Sequence, residues 1–375
     1  MKVAIVHYWF ITRRGGEKVV ESLLKLYPQA DVYTLFYDPK QYGDYISKHK
    51  VFTSILDSPI LRKYYQKLFP LYPLAIRSLK LKDDYDLIIS SESGPAKGIQ
   101  IKNNATHISY IHSPMRYAWS HTEMYVDSVS WFLRPTMRFF LKRLKKWDKT
   151  TINNVDLYIS NSSNVAERVN QFYGKPSQVI YPPIEEKLFS KPLRKRSKEF
   201  YLSFGALTPY KKIDLLIDTF NKNGKILVII GEGSEKEKLL KKANSNIQFK
   251  SCEKWDEVEY YLLKTKALLF PGEEDFGMVP LEVMSYGIPV LAYAKGGALE
   301  TVVENKNEIK NSSGLFFKEQ TVESVEKTIQ DFERVEDQFD DFWILNHAKG
   351  FKESSFIEKF KLAVLTQLRD KGSIE

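Results

Sequence analysis

Short apolar runs alternate with helix-periodic segments along the whole 375-residue chain, and this alternation narrows the fold more than any other feature. In the first half KVAIV (2–6) precedes the amphipathic EKVVESLLKLYP (17–28). DVYTLF (31–36), DLIIS (86–90), HISYIH (107–112) and DLYIS (156–160) follow. The second half repeats the plan with YLSFGAL (201–207), IDLLIDTFN (213–221), KILVIIG (225–231) and SEKEKLLKKAN (234–244). It continues through IQFKS (247–251), ALLFPG (267–272), IPVLAY (288–293) and GLFF (314–317). Apolar strands separated by amphipathic helices predict parallel sheets covered on both faces. The length argues for two domains. The break falls at YPPIEEKLFSKPLRKRSKEF (181–200), which holds three prolines, a cluster of bases and no clear period. The expected fold class is α/β, with two Rossmann-like domains facing a central cleft. In such sheets ligands bind beyond the carboxyl ends of the strands.

Charge divides the chain unevenly. Residues 1–180 carry 26 Lys and Arg against 15 Asp and Glu, whereas residues 181–375 carry 30 against 32. A basic first half implies an anionic partner on that side: nucleic acid, a membrane surface or a phosphorylated substrate. The single cysteine, Cys252, excludes an intramolecular disulfide and fits a reducing, cytoplasmic setting. The apolar stretch at the N-terminus is too short to span a bilayer and lacks a small-residue cleavage site, so it reads as a first strand. No other run approaches transmembrane length, and a soluble or peripheral protein is expected.

Candidate chemistry gathers in the loops after strands. Gly15 and Gly16 in RRGGEK open a helix, where paired glycines let backbone N–H groups approach an anion. A plain tight turn explains them equally well, and no complete GxGxxG is present. His112 and Arg116 lie in YIHSPMRYAW (110–119). A lone histidine there is ordinarily satisfied by a carbonyl, but the crowding of His, Pro, Arg, Tyr and Trp favours a functional loop. Lys211 and Lys212 enter a helix in FGALTPYKKIDLLI and can neutralise phosphate, although most Lys-Lys pairs are simply solvated. Gly231 and Gly233 in GEGS form a second glycine turn. In EEDFGMVPLE (273–282), Glu274 sits in a loop and Glu282 within the helix that follows, with Pro280 in its first turn. Phe276 and Gly277 lie between them, and Gly277, Met278 and Val279 could bring backbone N–H groups to a diphosphate. Carboxylates so placed suit vicinal hydroxyls of a sugar or ribose; two surface acids are the ordinary alternative. Asp84-Tyr85-Asp86 matches a metal-binding Asp-x-Asp pattern but precedes its strand, and reads as a turn. No His/Cys cluster has ligand spacing, so no metal site is expected.

Taken together, GGEK, HSPMRYAW, PYKKIDLLI, GEG, EEDFGMVPLE and Gly296-Gly297 resemble the retaining GT-B glycosyltransferases of the large group 1 type, with its Glu-x7-Glu motif. The likeness is nearest to bacterial mannosyltransferases of polysaccharide and lipopolysaccharide assembly. It implies a metal-independent transferase moving a sugar, by best match mannose from GDP-mannose, to a lipid-linked or oligosaccharide acceptor at the inner face of the cell membrane. By that resemblance Glu282 holds the ribose, Glu274 the donor sugar's hydroxyls, and Lys211 with the amides near Gly277 the diphosphate. Gly16 lies over the phosphates and His112 bonds the transferred sugar. Catalysis would be front-face displacement resting on positioning. Many members carry arginine where this chain has Ala206, leaving Lys211, with Lys212 or Arg116, as the cation. Expected domains are 1–183 and 184–345, with a C-terminal helix over 346–375 packing back on the first. A UDP-sugar donor, or a sugar-nucleotide epimerase or glycan phosphorylase on the same architecture, are alternatives.

WFLRPTMRFFLKRLKKWDK (131–149) interleaves large apolar residues with seven Lys and Arg, and ILRKYYQKLFPLYPLAIRSLKLK (60–82) has similar character. Both suit an anionic membrane surface; packing of the apolar face on the sheet is the competing expectation. Nucleic-acid binding is disfavoured, since the bases share their stretches with large apolar residues and no recognition motif occurs.

Overall fold

The computed structural model describes residues 1–252 and 254–372. The chain folds into two compact units, residues 1–183 with 354–375, and residues 184–353. Each is built on a parallel sheet. In the first unit β1 (Val3–His7), β2 (Asp31–Thr34), β3 (Val51–Thr53), β4 (Leu87–Glu92), β5 (Thr106–Ile111), β6 (Leu157–Ser160) and β7 (Gln178–Val179) lie in the order β3-β2-β1-β4-β5-β6-β7. The second unit orders β8 (Phe200–Phe204), β9 (Leu227–Ile230), β10 (Ile247–Lys250), β11 (Thr265–Phe270), β12 (Val290–Tyr293) and β13 (Gly314–Phe317) as β10-β9-β8-β11-β12-β13. Strand order reverses between β1 and β4 in one sheet and between β8 and β11 in the other. Those switch points are where open α/β sheets form crevices.

Central strands are buried on both faces, every residue of β1, β4 and β5 included. Two strands lay below sequence resolution. β3 is a half-exposed edge and β7 is two residues long, so neither carries an apolar run. The stretch 181–200 is more than a linker. Arg196 is buried in the second unit and donates to the carbonyls of Thr265 (2.9 Å) and Gly287 (3.0 Å) and to Asp341 Oδ1 (2.5 Å). Its guanidinium fork thereby ties three distant segments together.

The helix Glu353–Asp370 completes the first unit. Phe356, Phe360, Ala363, Val364 and Leu368 recur at helical spacing and join one core with Ile5, Leu23, Ile89, Ile108 and Tyr110.

A buried ionic cluster holds the other face of the first sheet. Lys97, Glu92 and Asp148 have no side-chain exposure. Lys97 Nζ bonds Asp148 Oδ1 and lies 3.8 Å from Glu92 Oε1 and 4.9 Å from the centre of the Tyr173 ring. Asp148 Oδ2 accepts the Trp119 indole N–H at 2.8 Å. The cluster therefore joins β4, the helix Arg134–Thr150 and the loop after β5. Burial, helped by Asp148, pushes the Glu92 carboxyl up to about 8 against the pull of Lys97.

Removing one member of a buried pair leaves an uncompensated charge, which costs about 3–5 kcal/mol. Lys97→Met should lose stability on that scale in urea unfolding at neutral pH, and adding Asp148→Asn should recover part of it. Glu92 predicts a pH slope of known sign. The folded chain keeps a proton that the unfolded chain releases above its ordinary value of 4.5. This contribution is complete below that pH and is lost as pH rises through about 8. Glu92→Gln should flatten the fall in stability over this interval, measured by urea titrations at stepped pH.

Candidate active site

In the first unit the candidate residues stand at the carboxyl ends of β1, β4 and β5. The chain leaves β1 through Tyr8, and the helix Gly15–Leu26 begins at Gly15. A Cβ at Gly16 would stand 2.7 Å from the Tyr8 hydroxyl oxygen and 3.5 Å from His112 Nε2. Glycine lets the helix start come this near the Tyr8 hydroxyl. The sequence-predicted Gly16 and His112 therefore meet. The backbone N–H of His112 donates to the Glu92 carbonyl at 2.8 Å, and its Nε2 lies 2.8 Å from Ser91 Oγ.

His107, five residues earlier on β5, is the satisfied core histidine that His112 could have been. Its Nδ1 donates to the Asn154 carbonyl at 2.7 Å and its Nε2 pairs with Ser90 Oγ at 2.9 Å. Burial lowers its pKa to about 4, so it is neutral at physiological pH. Arg116 is partly exposed in the turn after His112, and Trp119 anchors that turn to Asp148. Tyr8, His7, Ser91 and Glu17 were not singled out from the sequence. The available signal was polar residues (His7, Ser90, Ser91, Glu92) ending otherwise apolar strands at the ligand-binding edge.

In the second unit three loops stack backbone on backbone. Gly272, after β11, packs where a Cβ would lie 2.9 Å from Lys211 Cα. Cβ atoms on Gly296 and Gly297, after β12, would reach 2.4 Å from the Glu274 carbonyl oxygen and 2.2 Å from Phe276 Cα. The Gly297 N–H donates to the Glu274 carbonyl at 2.8 Å. Stacking brings Lys211, at the end of the turn Pro209–Lys211, to Glu274, and the two form an ion pair with both side chains largely shielded. The Phe270 ring centre lies 5.6 Å from Lys211 Nζ, a cation–π distance.

Gly277 holds φ +85° and caps the helix Met278–Met284, with the Phe270 ring 3.1 Å from where its Cβ would be. That helix begins with Met278 and Val279, carries Pro280 in its first turn, and buries Glu282. Phe276 is buried too, 6.0 Å from the Phe351 ring.

Lys212 parts from Lys211. It is exposed, at φ +55°, and caps the helix Ile213–Asn223. Gly231 and Gly233 have a packing reason: Cβ atoms there would come 1.9 Å from the Gly205 carbonyl oxygen and 2.3 Å from that of Leu207. Asp84 and Asp86 lie before β4, and Asp86 accepts the Lys2 backbone N–H at 2.6 Å.

Residues 184–343 match the family model for glycosyl transferases group 1, and residues 13–188 match glycosyltransferase family 4. The chain is a glycosyltransferase of the group 1 type. An uncharacterised glycosyltransferase of Methanocaldococcus jannaschii is 25% identical, the match covering 82% of this chain and 83% of that protein. Alpha-1,3/1,6-mannosyltransferase ALG2 of Saccharomyces cerevisiae is 23% identical, over 71% of this chain and 61% of its own. The match thus spans less than two thirds of that mannosyltransferase. Among solved structures, HepE of Anabaena in complex with UDP superposes with a TM-score of 0.70 at 16% identity, covering 98% of this chain and 100% of HepE. The transferase shares its fold, GT-B.

Proposed function

We propose that this transferase moves a hexose, mannose from GDP-mannose in the best reading, to a hydroxyl of a lipid-linked or oligosaccharide acceptor in surface-polysaccharide assembly. The transfer proceeds with retention and without an essential metal. The observation that carries this reading is the Lys211–Glu274 pair beside the helix start at Gly277. A diphosphate brings more negative charge to Lys211 than one carboxylate does, and the amides at Gly277, Met278 and Val279 add donors. Lys211 then turns to the diphosphate, and Glu274 is released to accept from the donor sugar's hydroxyls. Glu282 grips the ribose diol, while Gly16 and His112 of the first unit serve the phosphates and the transferred sugar. In front-face displacement the leaving diphosphate helps take the acceptor's proton, so rate depends on position and on charge stabilisation. The ALG2 relative supports mannose; the HepE complex keeps a UDP-sugar as the second reading.

The acceptor side is proposed to sit on anionic lipid. Among the described residues no helix is long and apolar enough to cross a membrane. The segment 131–150 packs one face on the core and leaves another exposed. Leu141, Leu144 and Asp148 face the core, whereas Trp131 and Phe132 are 79% and 61% exposed and Leu133, Phe139 and Phe140 are exposed beside them. Its one acid is spent on Lys97, so the outer face is basic, with Arg134 and Arg138 paired to Asp127 and Glu123. Ile60, Tyr64, Leu71 and Leu74 are exposed on the second basic stretch. Apolar residues beside bases suit lipid headgroups and the acyl boundary.

A thermal-shift panel of GDP-, UDP-, ADP- and dTDP-sugars with and without EDTA tests the donor; GDP-mannose should stabilise most, and EDTA should not abolish the shift. Losing charge-assisted hydrogen bonds of about 1.5–3 kcal/mol, Glu282→Ala should weaken nucleotide binding roughly 10–100-fold. Glu274→Ala should chiefly lower turnover, and equal losses of nucleoside-diphosphate affinity would contradict these roles. For lipid, co-sedimentation with phosphatidylglycerol vesicles should exceed that with phosphatidylcholine, decline with salt, and drop in Trp131→Ser/Phe132→Ser.

A further inference from the structure

Lys211 and Glu274 come from segments 63 residues apart, and neighbouring backbone holds both of them. A Cβ on Gly272 would stand 2.9 Å from Lys211 Cα. Glu274 forms a parallel bridge with Gly296, and its carbonyl accepts the Gly297 N–H at 2.8 Å. Their side chains are 13% and 16% exposed, shielded enough to pair well and open enough to turn. Among the described residues each is the other's charged partner. Lys211 Nζ also lies 5.6 Å from the Phe270 ring centre and 5.7 Å from that of Tyr210. The Phe270 ring packs against Gly277 as well, so the ammonium and the helix start share a neighbour.

A diphosphate at that helix start meets a lysine already in contact with a carboxylate. Either Nζ leaves Glu274, or it uses its three donors to hold both anions. Affinity falls in both cases. In the first, the arrangement that binds is only a fraction of the population. In the second, like charges crowd one ammonium in a partly shielded site. What offsets this loss differs between donor and product. With a nucleotide sugar, the carboxylate accepts charge-assisted hydrogen bonds from sugar hydroxyls in place of the lysine. The nucleoside diphosphate left after transfer has no sugar, and Glu274 has only Lys211 to return to. That product also carries more negative charge on its terminal phosphate than the donor does. An unopposed Lys211 would therefore hold the product the more tightly of the two.

We infer that Glu274 is the residue by which the site discriminates donor from product: it competes with the diphosphate for Lys211, and the donor's sugar relieves that competition. The inference rests on the donor site proposed above. It gives Glu274 a second task, in product release, which hydrogen bonding to the sugar alone does not.

Isothermal titration calorimetry with GDP, GDP-mannose, UDP and UDP-glucose tests this, read on whichever base binds the more tightly. Glu274→Gln keeps the shape of the side chain and removes its charge. The nucleoside diphosphate should bind this variant about 3–10-fold more tightly, while its nucleotide sugar should bind no more tightly than to the native protein. Release of a fluorescent nucleoside diphosphate, followed by stopped flow, should slow in proportion. Glu274→Ala repeats the test with a second neutral side chain, and thermal unfolding shows that each variant is folded. Unchanged or weaker nucleoside-diphosphate binding in the folded variants overturns the inference, as does an equal gain for diphosphate and nucleotide sugar. Both results leave the donor site standing, because the native protein still binds the nucleotide sugar. The expected pattern with the UDP pair instead of the GDP pair would correct the proposed base and uphold the inference. No binding by any of the four would remove donor site and inference together.

Discussion

Three segments of the first unit converge on one buried ammonium group. β4 supplies Glu92 and the helix Arg134–Thr150 supplies Asp148. The loop after β5 joins through Trp119, which donates to the same Asp148. A lysine without solvent tolerates no slack in its partner, because a misplaced Asp148 leaves the ammonium unpaired in a low dielectric. The loop that begins with His112 is therefore pinned at its far end. The same pairing sets the rotation of the helix. With Asp148 drawn inward, Leu144 and Leu141, one and two turns earlier, also face the core. Trp131, Phe132 and Phe139 are left on the outside. One ion pair thus orders a site loop and aims the apolar and basic face.

The second unit reaches order by another route. Its loops carry few buried charges, and their precision comes from glycine. Gly231, Gly233, Gly272, Gly296 and Gly297 each stand where a Cβ would collide with neighbouring backbone. The loops after β8, β9, β11 and β12 consequently stack at main-chain distance. Lys211 and Glu274, from segments 63 residues apart, are held together before any ligand arrives. The loop backbones are thus ordered in folding, and side-chain rotations are what a ligand has to drive.

Much of this was legible in the sequence, and the remainder has physical reasons. Apolar runs revealed the two parallel sheets, since doubly covered strands are apolar on both faces. They could not reveal β3 and β7, one half-exposed and the other two residues long. Gly16, His112, Lys211 and Glu274 were distinguishable by position after strands, and the structure brings the first two together and likewise the last two. Gly231 and Gly233 matched a ligand-loop pattern, yet backbone crossing accounts for them. Seen locally, a glycine required by a neighbouring loop and one required by a phosphate look alike. His7, Ser91 and Glu17 left no motif, because His7 meets Ser91 only across strands 84 residues apart and Glu17 only from a helix start. Arg196 was hidden in a run of bases that its neighbours expose to solvent.

The helix Glu353–Asp370 has a consequence for how the chain is made. Phe356, Phe360 and Leu368 belong to the first unit's core, yet the whole of the second unit is encoded before them. The second unit is contiguous and can close as soon as its last helix, Asp341–Lys349, is synthesised. The first must wait with Leu23, Ile108 and Tyr110 uncovered until the final helix arrives. Assembly therefore runs against the usual N-terminal-first order of synthesis. The earlier half is the one left needing protection from aggregation, and the later half finishes first.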